Sequence, residues 1–360
     1  MLSKQSLYAQ SGVKAQNGAL SGLLKYVKQT KGFNKDQPSI VSQDYFCDVL
    51  DFGHGIGVAF CTDGVGSKIL VAEMMNQYDT IGIDCVAMNV NDIICVGAKP
   101  VSMVDYIACS VLDEKVFEEL GKGLMKGAEQ ARISIVGGEI AQIKEMISGI
   151  DLMGSCIGFV PTKQINTGKE VKPGNLILGM ASSGVHANGL TLARKILLGE
   201  TLKEQKKNIN KFEDSFNRTI GAELLEPTCI YVRPIMEMID SGIDLKAMVQ
   251  ITSSGYANLN RVEGTNIRFV IDPLPDVPPV FELIQELGGV SDEEMYKVFN
   301  MGIGFCVIVD HANDANLVQQ ISKKYGISCH RIGYVEEFSG KETFIPELNL
   351  RDQTVKSSNK

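Results

Sequence analysis

Apolar residues recur at helical spacing in one stretch of the chain, where Ile83, Ala87, Val90 and Ile94 follow one another at intervals of four, three and four residues. This spacing predicts a helix whose apolar stripe faces a core. The helix is expected to end before Pro100, because the residue that precedes a proline is pushed out of the helical region.

The rest of the chain alternates short strand patterns with helical ones, which is typical of α/β proteins. Strands are predicted at 55–62, 101–109, 133–136, 150–160, 176–181, 267–271, 304–309 and 329–334. Further helices are predicted at 20–27, 68–77, 190–198, 231–239, 280–287, 315–325 and from an Asp113 N-cap to about Ala128.

A polar, turn-forming stretch between Pro161 and Pro173 separates two such patterns. We therefore expect a loosely ordered arm at 1–50, a first domain at 51–168, a second α/β domain at 169–345 and a disordered tail at 346–360. The charged segment 203–214 is expected to be a surface excursion.

Composition excludes several classes of protein. The 360 residues are 44% hydrophobic and carry a net charge of −8, so there is no basic surface for nucleic acid or for an anionic membrane. No apolar run is long enough to span a bilayer. The nine cysteines are an odd number without any C-x-x-C pair, which favours the reducing cytoplasm.

The predicted central helix also carries polar chemistry. Asp84, Met88, Asn91 and Asp92 share the face beside the apolar stripe. Two carboxylates on an otherwise apolar segment require a cation, hydrogen-bond donors or water. One interpretation is a magnesium site, since Mg²⁺ prefers oxygen ligands and often takes one or two carboxylates plus substrate phosphates. The other is that Asn91 and Asp92 only cap or bridge neighbouring backbone.

A glycine-rich turn links the predicted strand at 55–62 to the next helix, with the sequence Asp63-Gly-Val-Gly-Ser-Lys68. Gly64 and Gly66 would let backbone amides approach an anion, and Lys68 would add a positive charge. The spacing matches neither a Walker A loop nor a dinucleotide fingerprint, so an ordinary turn remains an alternative. Asp63 is placed to join Asp92 around one Mg²⁺.

Two further turns carry candidate residues. Gly137-Gly138-Glu139 follows a predicted strand and would put a carboxylate at a strand end, where α/β proteins build ligand sites. His186 lies in the turn Ser182-Ser-Gly-Val-His-Ala-Asn-Gly189, among glycines and serines. The alternative for His186 is a solvent-facing or helix-capping histidine.

Taken together, these motifs resemble those of the phosphoribosylformylglycinamidine cyclo-ligase family, the aminoimidazole ribonucleotide synthetases. Asp92-Ile-Ile-Cys-Val-Gly-Ala-Lys-Pro100 is similar to the D-x-x-x-x-G-A-x-P motif of that family. The blocks around it occur in the family's order, and the resemblance extends from about Tyr8 to Tyr334. These blocks are 62–68, 79–84, 137–139, 182–189 and 299–304.

The resemblance implies a fold and an assembly. It implies α/β (α+β-like) architecture in a two-domain ATP-binding synthetase fold. The N-terminal domains of two subunits would pair into a β-barrel at a homodimer interface, and residues 51–168 would be the domain that binds ATP and Mg²⁺ and dimerises.

The resemblance also implies a reaction, the ATP-dependent ring closure of formylglycinamidine ribonucleotide to aminoimidazole ribonucleotide in purine biosynthesis. Asp63, Asp92, Asn91 and Glu139 would be metal ligands. The residues that would contact the nucleotide are Asp63, Gly64, Gly66, Lys68, Asn91 and Gly137–Glu139. His186 would serve the substrate as a hydrogen-bond donor to a phosphate or as a proton carrier near neutral pH, and Lys68 and Asp92 would also act in catalysis.

Four segments depart from the family pattern. They are 46–53, which replaces a Gly-Gly-Phe-Gly loop, 140–144, which loses a hydroxyl and a carboxylate, 250–255, which loses a histidine, and Lys14, which reverses a charge. Two alternatives follow: a sister ATP enzyme such as a thiamine-monophosphate kinase, or a nucleotide-binding paralogue without turnover. A dinucleotide dehydrogenase is disfavoured because G-x-G-x-x-G is missing from the sequence.

Overall fold

The computed structural model of the chain describes residues 6–11, 17–42 and 45–353. The helices are α1 (Leu7–Gln10), α2 (Asn17–Val27), α3 (Lys68–Met75), α4 (Ile81–Cys95), α5 (Glu114–Ala131), α6 (Leu190–Leu198), α7 (Leu202–Asn208), α8 (Ile220–Leu224), α9 (Val232–Asp240), α10 (Pro279–Gly288), α11 (Asp292–Val298) and α12 (Ala312–Lys324). The strands are β1 (Asp48–Asp51), β2 (Ile56–Gly64), β3 (Lys99–Cys109), β4 (Ser134–Gln142), β5 (Ile150–Pro161), β6 (Leu176–Ala181), β7 (Phe212–Glu213), β8 (Arg218–Thr219), β9 (Leu245–Gln250), β10 (Ile267–Ile271), β11 (Ile303–Val309), β12 (Cys329–Glu337), β13 (Lys341–Ile345) and β14 (Leu350–Gln353).

The first sheet has five strands in the order β1-β2-β5-β3-β4. Its pairs are antiparallel except for β3 with β4, which run parallel because α5 crosses over between them. Helix α4 packs against β2, β3 and β5 on one face, and α5 packs on α4. Among the described residues this sheet does not close on itself, so the architecture there is mixed α/β without a closed barrel.

The second sheet has seven strands in the order β14-β13-β10-β12-β6-β11-β9. Strand β11 is buried along its whole length, as expected for an apolar central strand covered on both faces. Helices α9 and α12 pack against each other, and α12 lies on β6 and β12. The buried residues of both sheets form one continuous apolar core.

Several predicted elements are confirmed residue for residue, namely β6, β10 and α6. The Asp113 N-cap is also confirmed, because its side chain accepts hydrogen bonds from the amides of Lys115 and Val116 at 3.0 and 3.2 Å. No helix in the described ranges is both long enough and apolar enough to cross a membrane.

The charged segment 203–214 is mostly exposed, as expected of a surface excursion. It includes most of α7, which begins with a capping box between Thr201 and Glu204. Another prediction differs from the structure. The prediction of disorder from residue 346 onwards is wrong for 346–353, because β14 pairs with β13 there. Residues 354–360 lie outside the described ranges, as does Lys14.

Helices α4 and α5 approach so closely that glycine is required at their contact. A β-carbon on Gly82 would lie 2.2 Å from the backbone nitrogen of Leu124, and one on Gly123 would lie 2.3 Å from the carbonyl oxygen of Asp79. Because real side chains do not approach backbone this closely, a larger residue at either position would separate the helices.

We therefore predict that Gly123→Ala lowers the free energy of unfolding by about 1 to 3 kcal/mol, the usual cost of overpacking a core. Gly121→Ala, two residues earlier on α5, is the matched control, because a β-carbon there meets nothing within 4 Å. The control should be neutral or more stable by about 0.5 to 1 kcal/mol, since alanine favours helix. Urea unfolding measures both, and equal stabilities would contradict the predicted helix contact.

Candidate functional site

Helix α4 leaves one carboxylate partly exposed. All fifteen residues of the helix are described, and every one of them except Asp92 is buried. Asp92 is therefore the only position along this helix whose side chain is not fully buried. A charge at such a position is costly without a ligand or a counter-ion.

Asp63 lies at the end of β2, and Asn89 of α4 holds its backbone in place. The side-chain oxygen of Asn89 accepts a hydrogen bond from the Asp63 amide at 3.1 Å, and its nitrogen donates to the Asp63 carbonyl oxygen at 3.2 Å. The Asp63 carboxylate accepts a hydrogen bond from the Gly64 amide at 2.7 Å. These contacts fix the strand end against the helix that carries Asp92.

The two carboxylates influence each other electrostatically. Burial raises the pKa of Asp92 well above its usual range, the Asp63 carboxylate raises it further, and Arg261 partly opposes the rise. Burial also raises the pKa of Asp63. Both shifts mean that the site destabilises its own negative charges, as expected of carboxylates arranged for a cation.

This pair of carboxylates fits a hard divalent cation only in part. Among the described residues, no group of three or more His, Cys, Asp or Glu side chains is arranged to hold a metal ion. Mg²⁺ needs no such cage, because it commonly binds to one or two carboxylates and takes its other ligands from substrate phosphates and water.

The loop 63–68 connects the end of β2 to the start of α3. Gly66 has a φ of 70°, a conformation that favours glycine, and open space lies beside it. Ser67 at its end contacts Thr191 of α6, with 2.7 Å between the hydroxyl oxygens. Lys68 does not point into this open space: its side chain is fully buried and donates to Asp84 at 2.9 Å.

Asn91 is held between the two sheets and away from Asp92. Its side-chain nitrogen donates to the carbonyl oxygen of Cys229 at 2.8 Å, and its oxygen accepts from the Tyr231 amide at 3.0 Å. The oxygen that a metal would need is therefore already engaged, so the structure favours a bridging role for Asn91 over the expected metal contact.

Glu139 is not brought together with Asp63 in one chain. Sheet register aligns Asp63, Gly154, Asp105 and Gly138 in one row, so Gly138 lies three strands from Asp63, or about 14 Å. This row faces α4, because a β-carbon on Gly154 would meet the Asn89 side chain.

The residues after Gly138 alternate in direction, so Glu139 points to the opposite face of the sheet. It is exposed there, as are Gly137 and Gly138 on this edge strand. Within one chain, Glu139 and Asp92 thus cannot share a metal ion, which differs from the expected set of four ligands.

His186 is buried inside the loop 182–189. Its Nε2 accepts hydrogen bonds from the amides of Ser183 at 3.1 Å and Cys229 at 3.4 Å. Burial, together with the nearby Lys68 ammonium, lowers the pKa of His186 to about 3. A neutral ring that already accepts two hydrogen bonds organises the loop. It is not suited to carry protons near neutral pH, which differs from the role expected from the sequence.

The loop 182–189 is also held by Asn300, from the block at 299–304. The side-chain nitrogen of Asn300 donates to the carbonyl oxygens of Gly184 and Val185 at 2.9 and 3.2 Å, and its oxygen accepts from the Ser182 hydroxyl at 2.9 Å. The structure thus brings two of the sequence motifs into direct contact.

Sequence reasoning missed two residues that shape the site. Asn89 could have been found, because an amide within an apolar helix, three residues before Asp92, needs a partner. Arg261 offered no local signal: it lies 169 residues beyond Asp92 in the chain, and its guanidinium sits 4.8 Å from the Phe46 ring centre. Only folding brings it near the carboxylates.

The lowered pKa of His186 predicts an acid-sensitive fold. Between about pH 6.5 and pH 3 the unfolded histidine binds a proton that the folded one does not, so stability falls as pH falls, by about 1.4 kcal/mol per pH unit. From about pH 7 to pH 5, the wild type should lose about 2 kcal/mol more unfolding free energy than His186→Asn. Asparagine suits the φ of 64° at this position.

Urea unfolding across this pH range measures the difference in slope, and His311→Asn is the control for replacing an exposed histidine. Equal slopes in the wild type and His186→Asn would show that the buried ring does take up a proton in the folded state.

Comparison with known protein families gives two matches. Residues 46–160 match the family described as AIR synthase related protein, N-terminal domain, and residues 172–345 match AIR synthase related protein, C-terminal domain. Both matched ranges include candidate residues, since Asp63 and Asp92 lie in the first and His186 in the second.

Curated relatives cover most of the chain. The phosphoribosylformylglycinamidine cyclo-ligase of Methanocaldococcus jannaschii is 48% identical over 292 residues, which are 81% of this chain and 81% of the relative. That of Pyrococcus furiosus is 42% identical over 338 residues, covering 92% and 96%.

Solved structures share the fold at lower identity. Thiamine monophosphate kinase from Aquifex aeolicus superimposes with a TM-score of 0.60 at 17% identity, over 94% of this chain and 99% of the kinase. Hydrogenase maturation protein HypE in complex with ATP gives 0.57 at 17% identity, over 95% and 94%. Since both family domains match and the curated relatives extend over most of its length, the chain belongs to the AIR synthase related family, as a member of the phosphoribosylformylglycinamidine cyclo-ligases.

Proposed function

We propose that this protein is an ATP-dependent cyclo-ligase that closes the imidazole ring of aminoimidazole ribonucleotide from formylglycinamidine ribonucleotide. The observation that carries the proposal is the identity of 42 to 48% with cyclo-ligases over at least 81% of the chain. The kinase-like structural neighbours share only the fold, at 17% identity, so they are no argument for a different substrate.

The reaction has two steps. The formyl oxygen attacks the γ-phosphorus of ATP, forming an O–P bond as the bond to ADP breaks. An amidine nitrogen then attacks the activated carbon, and the C–O bond breaks to release phosphate while the nitrogen loses a proton. Such phosphoryl transfer depends on positioning and on neutralising charge.

Asp63 and Asp92 are proposed to hold Mg²⁺, which when bound would neutralise phosphate charge. Two features support them: they come from elements fixed together by Asn89, and their pKa values are both raised. The open space beside Gly66 would admit phosphate oxygens. The loop 182–189, ordered by His186 and Asn300, would face the ribonucleotide substrate across the cleft.

A homodimer is proposed from the exposed face of the first sheet. The face turned away from α4 carries large apolar side chains that are 37 to 47% exposed, namely Ile56, Phe60, Val104, Tyr106 and Phe159. Apolar patches of this kind usually mark an interaction surface. Two such faces could pair into the barrel that the family resemblance implies, and Glu139 would then face the partner subunit.

The function is tested by mixing the protein with Mg²⁺, ATP and formylglycinamidine ribonucleotide and measuring ADP and aminoimidazole together. The wild type should form both in equal amounts. Asp92→Asn should lower kcat/KM for ATP by at least about 100-fold, because even groups that only hydrogen-bond to metal ligands change metal affinity by about 10- to 100-fold.

Asp214→Asn, at an exposed aspartate on the β7–β8 hairpin, is the control and should keep full activity. Asp92→Asn should unfold no more easily than the wild type without Mg²⁺, because it removes a repelled, buried charge. ADP formed with thiamine monophosphate instead of the ribonucleotide would point to the kinase, and ATP binding without turnover would point to a non-catalytic paralogue.

The dimer is tested by a charge on its proposed interface. Phe60→Lys should convert a wild-type dimer into a monomer in sedimentation equilibrium, because lysine ammonium groups would be buried without partners. Leu317→Lys is the matched control: Leu317 is 45% exposed on α12, against 43% for Phe60 on the sheet. A dimer that survives Phe60→Lys would exclude this face as the interface.

A further inference from the structure

Lys68 lies beside the candidate site but is closed off from it. Its side chain is 0% exposed, and its ammonium donates to Asp84 at 2.9 Å and to the backbone carbonyl of Glu226. A buried ammonium is tolerated only when its donors are engaged, and both of these acceptors are protein groups. In this arrangement the Lys68 ammonium is not available to contact a phosphate beside the loop 63–67.

Asp84, the partner of Lys68, is a junction of three segments of the chain. One oxygen of its carboxylate accepts hydrogen bonds from Lys68 at 2.9 Å, from the Thr228 amide at 2.8 Å and from the Thr228 hydroxyl at 2.6 Å. Lys68 begins α3, Asp84 lies in α4, and Thr228 belongs to the segment between α8 and α9. The Lys68–Asp84 ion pair therefore ties the first sheet's helices to the second half of the chain.

The ion pair is connected to both loops of the candidate site. Lys68 directly follows the loop that carries Asp63 and Gly66, and Asp84 lies two turns before Asp92 on the same helix. On the other side, Thr228 adjoins Cys229, whose amide donates to His186 in the loop 182–189. Displacement of the pair would move the loop 63–67 relative to the loop 182–189.

We infer that Lys68 and Asp84 are positioning residues, whose ion pair sets the separation between the nucleotide loop 63–67 and the substrate loop 182–189. This differs from the phosphate contact that sequence alone suggested for Lys68. The part of its test that measures turnover rests on the proposed function. The part that measures the contact between the two halves of the chain rests on the structure alone.

The test is a double-mutant cycle of Lys68→Met, Asp84→Asn and the double variant, with ATP affinity measured directly by calorimetry and turnover measured separately. Each single variant should lower kcat by about 100-fold, the effect of a misplacement of about 1 Å, while the Kd for ATP stays within about threefold. The double variant should be no worse than either single one, because both changes break the same pair.

The alternatives give different results. If Lys68 binds phosphate, Lys68→Met weakens ATP binding, Asp84→Asn does not, and the double variant binds ATP as weakly as Lys68→Met. If the ion pair only stabilises the fold, the folded variants keep both kcat and ATP affinity and lose only stability. Lys122→Met removes an ion pair with Glu118 whose side chains are 55 and 66% exposed, and as the control should change nothing.

Amide hydrogen exchange tests the link without any activity. A peptide covering 226–231 should exchange at least about tenfold faster in both single variants, because Lys68→Met removes the contact to the Glu226 carbonyl and Asp84→Asn weakens the acceptor of the Thr228 amide. Unchanged exchange in both would overturn the inference even in an inactive enzyme. Lack of wild-type turnover with accelerated exchange in the variants would instead count against the proposed function and leave the positioning role supported.

Discussion

The burial of α4 is the constraint on which the site depends. A helix whose polar side chains are nearly all buried must find partners for them inside the protein. One carboxylate oxygen of Asp84 accepts from Lys68 and Thr228, and Asn89 pairs with the backbone of Asp63. Because these partners come from other elements, satisfying the helix also fixes the elements around it.

The same helix joins the two sheets. Asp84 reaches Thr228, and Asn91 reaches Cys229 and Tyr231, so three hydrogen-bonded contacts connect α4 to the segment that leads into α9. Asp92 differs from its neighbours because its carboxylate is partly exposed and its pKa is raised. The polar residues of α4 thus divide into those that are bonded to other segments and one, Asp92, that is partly exposed.

The contrast between Asp92 and His186 shows how burial decides chemical role. Both lie in motifs that suggest function, and burial shifts the pKa of both. For His186 two backbone amides satisfy the neutral ring, so the residue is complete without a ligand. For Asp92 the main nearby influence is another carboxylate, so the charge is relieved only by protonation or by a cation.

Local pattern accounts for the elements that were predicted correctly. Strand β6 is a continuous apolar run, and helix α6 carries apolar residues along one face. The Asp113 cap depends only on backbone amides two and three residues further along the chain. Strands β13 and β14 were missed because they are short, carry charged residues and are stabilised by pairing with each other and with β10. Their stability comes from partners that are distant in sequence, which no local window contains.

The sequence by itself determined the family and pointed to Asp63 and Asp92 as candidate site residues, because these rest on motifs of neighbouring residues in a fixed order. Only the tertiary structure decided that Lys68 and Asn91 join the two halves, that Glu139 faces away from Asp92, and that Arg261 approaches the carboxylates. The physical reason is that a side chain's role depends on what remains unsatisfied around it, and that is set by contacts between segments far apart in the chain.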